Sequence, residues 1–127
     1  MKELNLDIIL YIHRQTISKH GGLEGIRDSD SIRSALATPF LTFNGEELNK
    51  TVLDKISAIT YSLIKNHGFK DGNKRVGAIA MGILCELNNI KLEFSQKELI
   101  DFGLNIASGN MAKDDIKNWI INHTINV

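Results

Sequence analysis

His67-Gly68-Phe69-Lys70-Asp71-Gly72-Asn73-Lys74-Arg75 is the stretch on which the reading of this chain turns. It gathers an ionisable ring, a carboxylate, an amide and cations between two segments that carry the period of buried helices. Upstream, Val52, Ile56, Ile59 and Leu63 recur every three or four residues, which predicts a helix from about Glu46 to Asn66 with His67 where it gives out. Downstream, Val76, Ile79, Ala80, Ile83, Leu84 and Leu87 are joined by Ala78, Met81 and Gly82 on the remaining faces. A helix apolar almost all round is a central one, and Asn88-Asn89 should stop it.

The flanks read as further helices. Leu6, Ile9, Leu10 and Ile17 share a face of a first helix running to about Lys19, halted by Gly21-Gly22. Asp28, Ser29, Asp30 and Ser31 offer caps to a short helix through Arg33, Leu36 and Ala37, which must end before Pro39. Asn44-Gly45 marks a turn, and Ile90–Phe94 is a connector with at most a minor strand. Ser95 with Glu98 forms a capping box for a helix carrying Leu99, Phe102, Leu104 and Ile106, stopped at Ser108-Gly109. A last helix spans about Lys113 to His123, with Asp114 and Asp115 at the positive end of its dipole. The expectation is an all-α bundle of about six helices in one domain over residues 1–127.

Composition narrows the function. Fifteen basic residues balance fifteen acidic ones, so no overall field draws the chain to nucleic acid or an anionic membrane. Any anion must be met by local geometry. The lone Cys85 cannot form an internal disulfide, and no apolar run has the length of a leader or membrane span, which together suggest a soluble protein of a reducing cytoplasm.

Local geometry is what the opening stretch supplies. Gly72-Asn73 leads into a helix whose first amides have no intrahelical partner, and such a terminus binds phosphate. Lys74 and Arg75 in the first turn oppose the helix dipole, a conflict that a bound polyphosphate would reverse. Asp71 beside such a cradle suits Mg²⁺, which takes carboxylate and phosphate oxygens together. His67 is suited to accept a proton from an attacking hydroxyl. Phe69 is expected to face inward and pin the loop.

The motif resembles the signature of the Fic/Doc superfamily, and the lysine after Asn73, where AMP-transferring Fic enzymes carry glycine, resembles the Doc (death-on-curing) branch. Similar residues extend from Ile12-His13 to Ile17, through Gly21-Gly22-Leu23 and the run GIRDSDSIRSALATP, to ASGN before the last helix. The length also matches a whole Doc protein. The resemblance implies transfer of the γ-phosphate of ATP to a protein hydroxyl, in Doc toxins a threonine of elongation factor Tu, which stops translation. His67 would be the general base; Asp71 would orient or hold Mg²⁺ and phosphate; Gly72 and Asn73 would shape the anion nest; Lys74 and Arg75 would hold the phosphates. The side chain of Lys74 is expected to exclude the AMP-transfer pose, and Ala78 stands where Fic enzymes carry a second arginine. The alternatives are a Fic-type nucleotidyl transferase and a catalytically idle protein that binds nucleotide or antitoxin.

Other residues have plainer readings. His13 is expected to be a partly buried structural residue, with a minority case for lining the site. His20 and His123 read as surface or helix-end residues, Arg27-Asp28 as a cap and packing ion pair, and Cys85 and Trp119 as core. A restraining helix of the kind many Fic enzymes carry would need the Thr42-to-Glu46 spacing, which Asn44-Gly45 interrupts. The resemblance instead implies a separate Phd-like antitoxin that docks as an amphipathic helix.

Overall fold

A computed structural model describes residues 1–125. Six helices dominate it: α1 (Leu6–His20), α2 (Ser29–Ala37), α3 (Val52–Lys65), α4 (Asn73–Leu87), α5 (Gln96–Ala107) and α6 (Lys113–His123). A 3-10 turn, Thr38–Phe40, follows α2 with the buried Pro39 inside it. The only strands among the described residues form a hairpin, β1 (Thr42–Phe43) and β2 (Glu46–Glu47), paired Thr42 to Glu47 and Phe43 to Glu46. The architecture is thus all-α in substance, as the apolar periodicity requires.

Most helix ends follow their local chemistry. The Asn5 side chain caps α1 through Ile8 N, and Asp28 caps α2 through Asp30 N and Ser31 N. Ser95 and Glu98 form the expected reciprocal box at α5. Asp115 reaches back to the Ala112 amide at 2.9 Å in front of α6.

One boundary corrects the sequence reading. The expected helix from Glu46 begins only at Val52, because Thr51 and Asp54 close a capping box there. Glu46 and Glu47 instead complete the hairpin around Asn44-Gly45, where both turn residues take positive φ. Buried Lys55 holds this hairpin against the body, with Nζ 3.2 Å from Glu47 Oε1 and a hydrogen bond to the Asn49 carbonyl. Thr42 and Glu46 therefore sit on opposite strands, and no helix among the described residues carries that pair. Between α4 and α5 there is no strand, only a single bridge from Leu92 to Thr124.

Centrality also shifts. α4 buries Val76, Ala80, Met81, Leu84 and Cys85, but α3 is the helix that packs against α2, α4, α5 and α6 together. Its polar residues hide that role in the sequence. Ser57 and Thr60 are buried because each hydroxyl donates to the carbonyl four residues earlier, at 2.7 and 2.8 Å. Gly77 lets α4 approach α3 closely, since a Cβ there would meet Ile64 Cγ1 at 2.4 Å.

The C-terminal helix is fastened by two polar contacts. Trp119 stacks on His123 at 3.8 Å between centroids and tilts against Phe102 at 4.5 Å. His123 is accordingly no free surface residue: Nδ1 lies 2.7 Å from the Trp119 carbonyl and Nε2 lies 2.6 Å from Glu98 Oε2. Lys117 pairs with Asp54 at 2.8 Å, tying α6 to the start of α3. Hydrogen bonding from Lys117 and then Thr51 outweighs desolvation and holds the Asp54 carboxyl down to about 2.

A depressed carboxylate contributes stability that is full above its unfolded value near 3.8 and is lost as pH falls toward about 2. With the side chains 35% and 30% exposed, screening leaves on the order of 1 kcal/mol. Urea midpoints of the wild type and Asp54→Asn should therefore differ at neutral pH and converge as pH falls from about 4 toward about 2. Parallel curves across that range would remove the pair from the account.

Candidate functional site

The motif residues form the α3–α4 connection. α3 ends at Lys65, Asn66 keeps helical φ at −75°, and His67 turns into the left-handed region with φ 49°. That is the position at which a chain usually leaves a helix through glycine. A histidine there carries roughly 1–3 kcal/mol of strain that its surroundings must offset. Its ring is exposed and makes no hydrogen bond to the described residues.

Phe69 drives the loop back into the core. It is 3% exposed and lies flat on the His13 ring, with centroids 3.9 Å apart and planes 6° from parallel. Asn73 then closes the loop: its Oδ1 accepts from Phe69 N at 3.0 Å and its Nδ2 donates to Phe69 O at 2.9 Å. Both buried backbone groups of Phe69 are satisfied by one side chain. Asn73 thus clamps the backbone of the loop, its side-chain amide being spent inside.

Gly72 is the N-cap of α4, with φ 84°. Only glycine takes that conformation without cost, and the turn leaves the first amides of α4 pointing outward. Val76 N bonds to Gly72 O at 2.9 Å, while the amides of Asn73, Lys74 and Arg75 have no partner among the described residues. Lys74 and Arg75 are exposed in this first turn, which contains no acid. Helix dipole, open amides and two cations all favour an anion here.

Asp71 sits at the edge of this terminus. Its Oδ1 accepts from Gly72 N at 2.9 Å and its Oδ2 from Leu23 N at 3.1 Å, so its direction is fixed by backbone. A carboxylate has about four acceptor sites, so each oxygen retains capacity for another partner. Gly22 is required beneath it, because a Cβ there would lie 2.6 Å from Asp71 Oδ2. No group of three or more His, Cys, Asp or Glu side chains among the described residues gathers closely enough to hold a metal.

The motif loop is one wall of the site and the α1–α2 connection is the other, a pairing that side-chain types in the sequence do not announce. Arg27 N and Asp28 N donate to Gly68 O at 2.8 and 3.0 Å, Lys70 N donates to Gly25 O at 3.1 Å, and Ile26 bridges Phe69. Arg27 makes no ion pair with Asp28; its guanidinium bonds to the carbonyls of His67 and Asn66 instead. The expected packing pair is corrected to a backbone clamp. His13, 5% exposed, bonds through Nε2 with Asp71 O at 2.9 Å and supports the loop from below. These partners are main-chain atoms, so no pattern of side-chain types announced them.

A cavity of about 270 Å³ adjoins the α4 terminus on its α5 side. His20, Lys74 and Arg75 lie at its polar end, and Ala78, Ile79, Leu99, Ile100 and Leu104 line the rest. His20, expected as a surface or helix-end residue, is the exposed last residue of α1 and also belongs to this lining. Desolvation, then the neighbouring Arg75 and Lys19 cations, hold its imidazole below the usual value. Cys85 lies elsewhere in the core, where burial pushes its thiol up to about 12 and removes it from nucleophilic chemistry.

The arrangement predicts a steep structural cost for one amide. Asn73→Ala leaves the Phe69 N–H and C=O unpaired in a buried site and should destabilise the fold by about 2–3 kcal/mol. Urea unfolding measures it; a loss under ~0.5 kcal/mol would show that the clamp is dispensable.

The sequence model of the Fic/DOC family matches residues 3–85, which include both walls of the site. The chain is 33% identical over 72 residues to a protein named toxin Doc from Mycolicibacterium smegmatis, covering 57% of this chain and 55% of that relative. It is 25% identical over 118 residues to a protein named protein kinase doc from Escherichia phage P1, covering 91% of this chain and 90% of that one. The match thus spans about half of the first relative and most of the second. The motif loop, its two walls and these relatives place the chain in the Fic/Doc family, on its Doc side.

Proposed function

We propose that this protein is a Doc-like toxin that transfers the γ-phosphate of ATP to a hydroxyl of a translation factor. The observation that carries the reading is the α4 terminus, where three unpartnered amides and the cations of Lys74 and Arg75 meet beside a fixed carboxylate, Asp71. That donor set fits a polyphosphate. The relative named a protein kinase supports phosphoryl chemistry, and the relative named a toxin supports the biological setting.

Little covalent work is asked of the protein in such a transfer. His67 takes the proton of the target hydroxyl as its oxygen bonds to the γ-phosphorus. The bond from that phosphorus to the bridging oxygen breaks, and ADP leaves. The amides of Asn73, Lys74 and Arg75, with both cations, hold the phosphates and bear their charge. Asp71 supplies a single carboxylate, so it would hold Mg²⁺ jointly with phosphate oxygens, a coordination that ion commonly takes. When bound, the ion neutralises charge on the inner phosphates. Gly72 opens the turn, and Lys74 fills the space that AMP transfer would need, leaving the γ-phosphate presented.

The finer expectations, a threonine of elongation factor Tu as acceptor and a Phd-like antitoxin as partner, rest on family resemblance. Docking of an antitoxin segment in a groove as an amphipathic helix is the form neutralisation would take.

A translation extract supplied with Mg²⁺ and either α- or γ-labelled ATP tests the reading. Label from the γ position alone should reach one protein, and His67→Ala should reduce it by about two to four orders of magnitude. Label from the α position would favour nucleotidyl transfer, and none from either would favour an idle binding protein. Lys74→Gly should lower γ-labelling; an unchanged level removes Lys74 from the choice of phosphate.

A further inference from the structure

Arg27 addresses three successive carbonyls of the motif loop from the α1–α2 connection. Its Nε donates to His67 O at 2.6 Å, its second terminal nitrogen to Asn66 O at 2.9 Å, and its own backbone N–H to Gly68 O at 2.8 Å. The middle one belongs to the strained residue, with φ 49°. Among the described residues, this contact is the only hydrogen bond that His67 makes through any of its atoms.

We propose that Arg27 is a positioning residue for His67, holding the histidine backbone in its left-handed turn and thereby fixing where the imidazole is presented. This rests on the reading of His67 as the base.

The argument is one of constraint. A left-handed residue other than glycine relaxes unless something holds it, and neither the ring nor the amide of His67 is held. Asn66 has a second tether through its own side chain to Ser31 O at 3.1 Å, and Gly68 receives two amides. His67 between them depends on the guanidinium. A planar fork with donors in fixed directions can serve adjacent carbonyls at once, and it also suits the negative end of α3. An ammonium on a flexible stem offers a point charge and cannot reproduce that geometry. The phosphate cradle is held separately, by Asn73 on Phe69 and by His13 on Asp71, so Arg27 bears on the base and not on the nest.

A plain helix-capping role predicts lost stability alone; positioning predicts a defect in turnover. Displacement of a reacting group by about 1 Å costs on the order of a hundredfold. Arg27→Ala should therefore lower kcat by about 10- to 100-fold, with KM for ATP within about twofold of wild type. Arg27→Lys and Arg27→Gln should recover only part of it. In a His67→Ala background, Arg27→Ala should lower the residual γ-labelling no further, as expected of residues acting through one another.

Three results would overturn the proposal: full kcat in any folded Arg27 variant, a defect confined to KM, or an equal added loss in the His67→Ala background. Should Arg27→Ala fail to fold, the lysine and glutamine variants decide by the same criteria. Wild-type labelling by His67→Ala alone would sink the reading of the base itself, and the positioning role with it. That result is distinguishable, because it appears with Arg27 intact.

Discussion

The pairing of the Asn73 side chain with both backbone groups of Phe69 is the constraint on which the site depends. It makes the loop and the first turn of α4 a single body. A buried N–H and C=O without partners would each carry a desolvation cost, so the closed form is the low-energy one. Once Phe69 is fixed, its ring has one place to go, against His13, and Asp71 O falls within reach of the same histidine. Gly72 then has to turn through positive φ, and that turn is what leaves the α4 amides open. An interior contact thereby prepares an exterior site without touching whatever binds there.

Polarity at the terminus follows the same logic. Cations in the first turn are unfavourable to α4 as an isolated helix, and nothing in that turn offsets them. Packing next to the terminus sustains the arrangement: the Ile64–Gly77 approach, the aliphatic face of α4 and the aromatic cluster of Phe102 and Trp119. The polyphosphate proposed for this site would relieve that conflict.

The helices were legible because apolar spacing and caps are local. Ser95 with Glu98, Asp28 before α2 and the glycines after α1 mark ends that the structure keeps. Glu46-Glu47 misled because glutamate favours helices, while its true partners, across the turn and at Lys55, lie on other elements. The packing of α3 against four other helices was not legible, because Ser57 and Thr60 read as polar until their hydroxyls are seen to return to the helix. The motif loop was likewise legible as the connection between two helices. Arg27 was not, since a guanidinium on main-chain carbonyls leaves no matching acid in the sequence, and the pairing with Asp28 was the nearer guess.

The backbone pairing between the α1–α2 connection and the motif loop also bears on when the site forms. Leu23 meets Asp71 across 48 residues, Arg27 meets His67 across 40, and His13 meets Asp71 across 58. Contacts of such separation close large loops and are slow to gain, whereas the helix caps need only three or four residues. During synthesis the α1–α2 connection leaves the ribosome well before the motif loop exists. The nest is consequently among the later features to appear, after the helices that frame it, and an incomplete chain ending before α4 has no terminus to offer an anion.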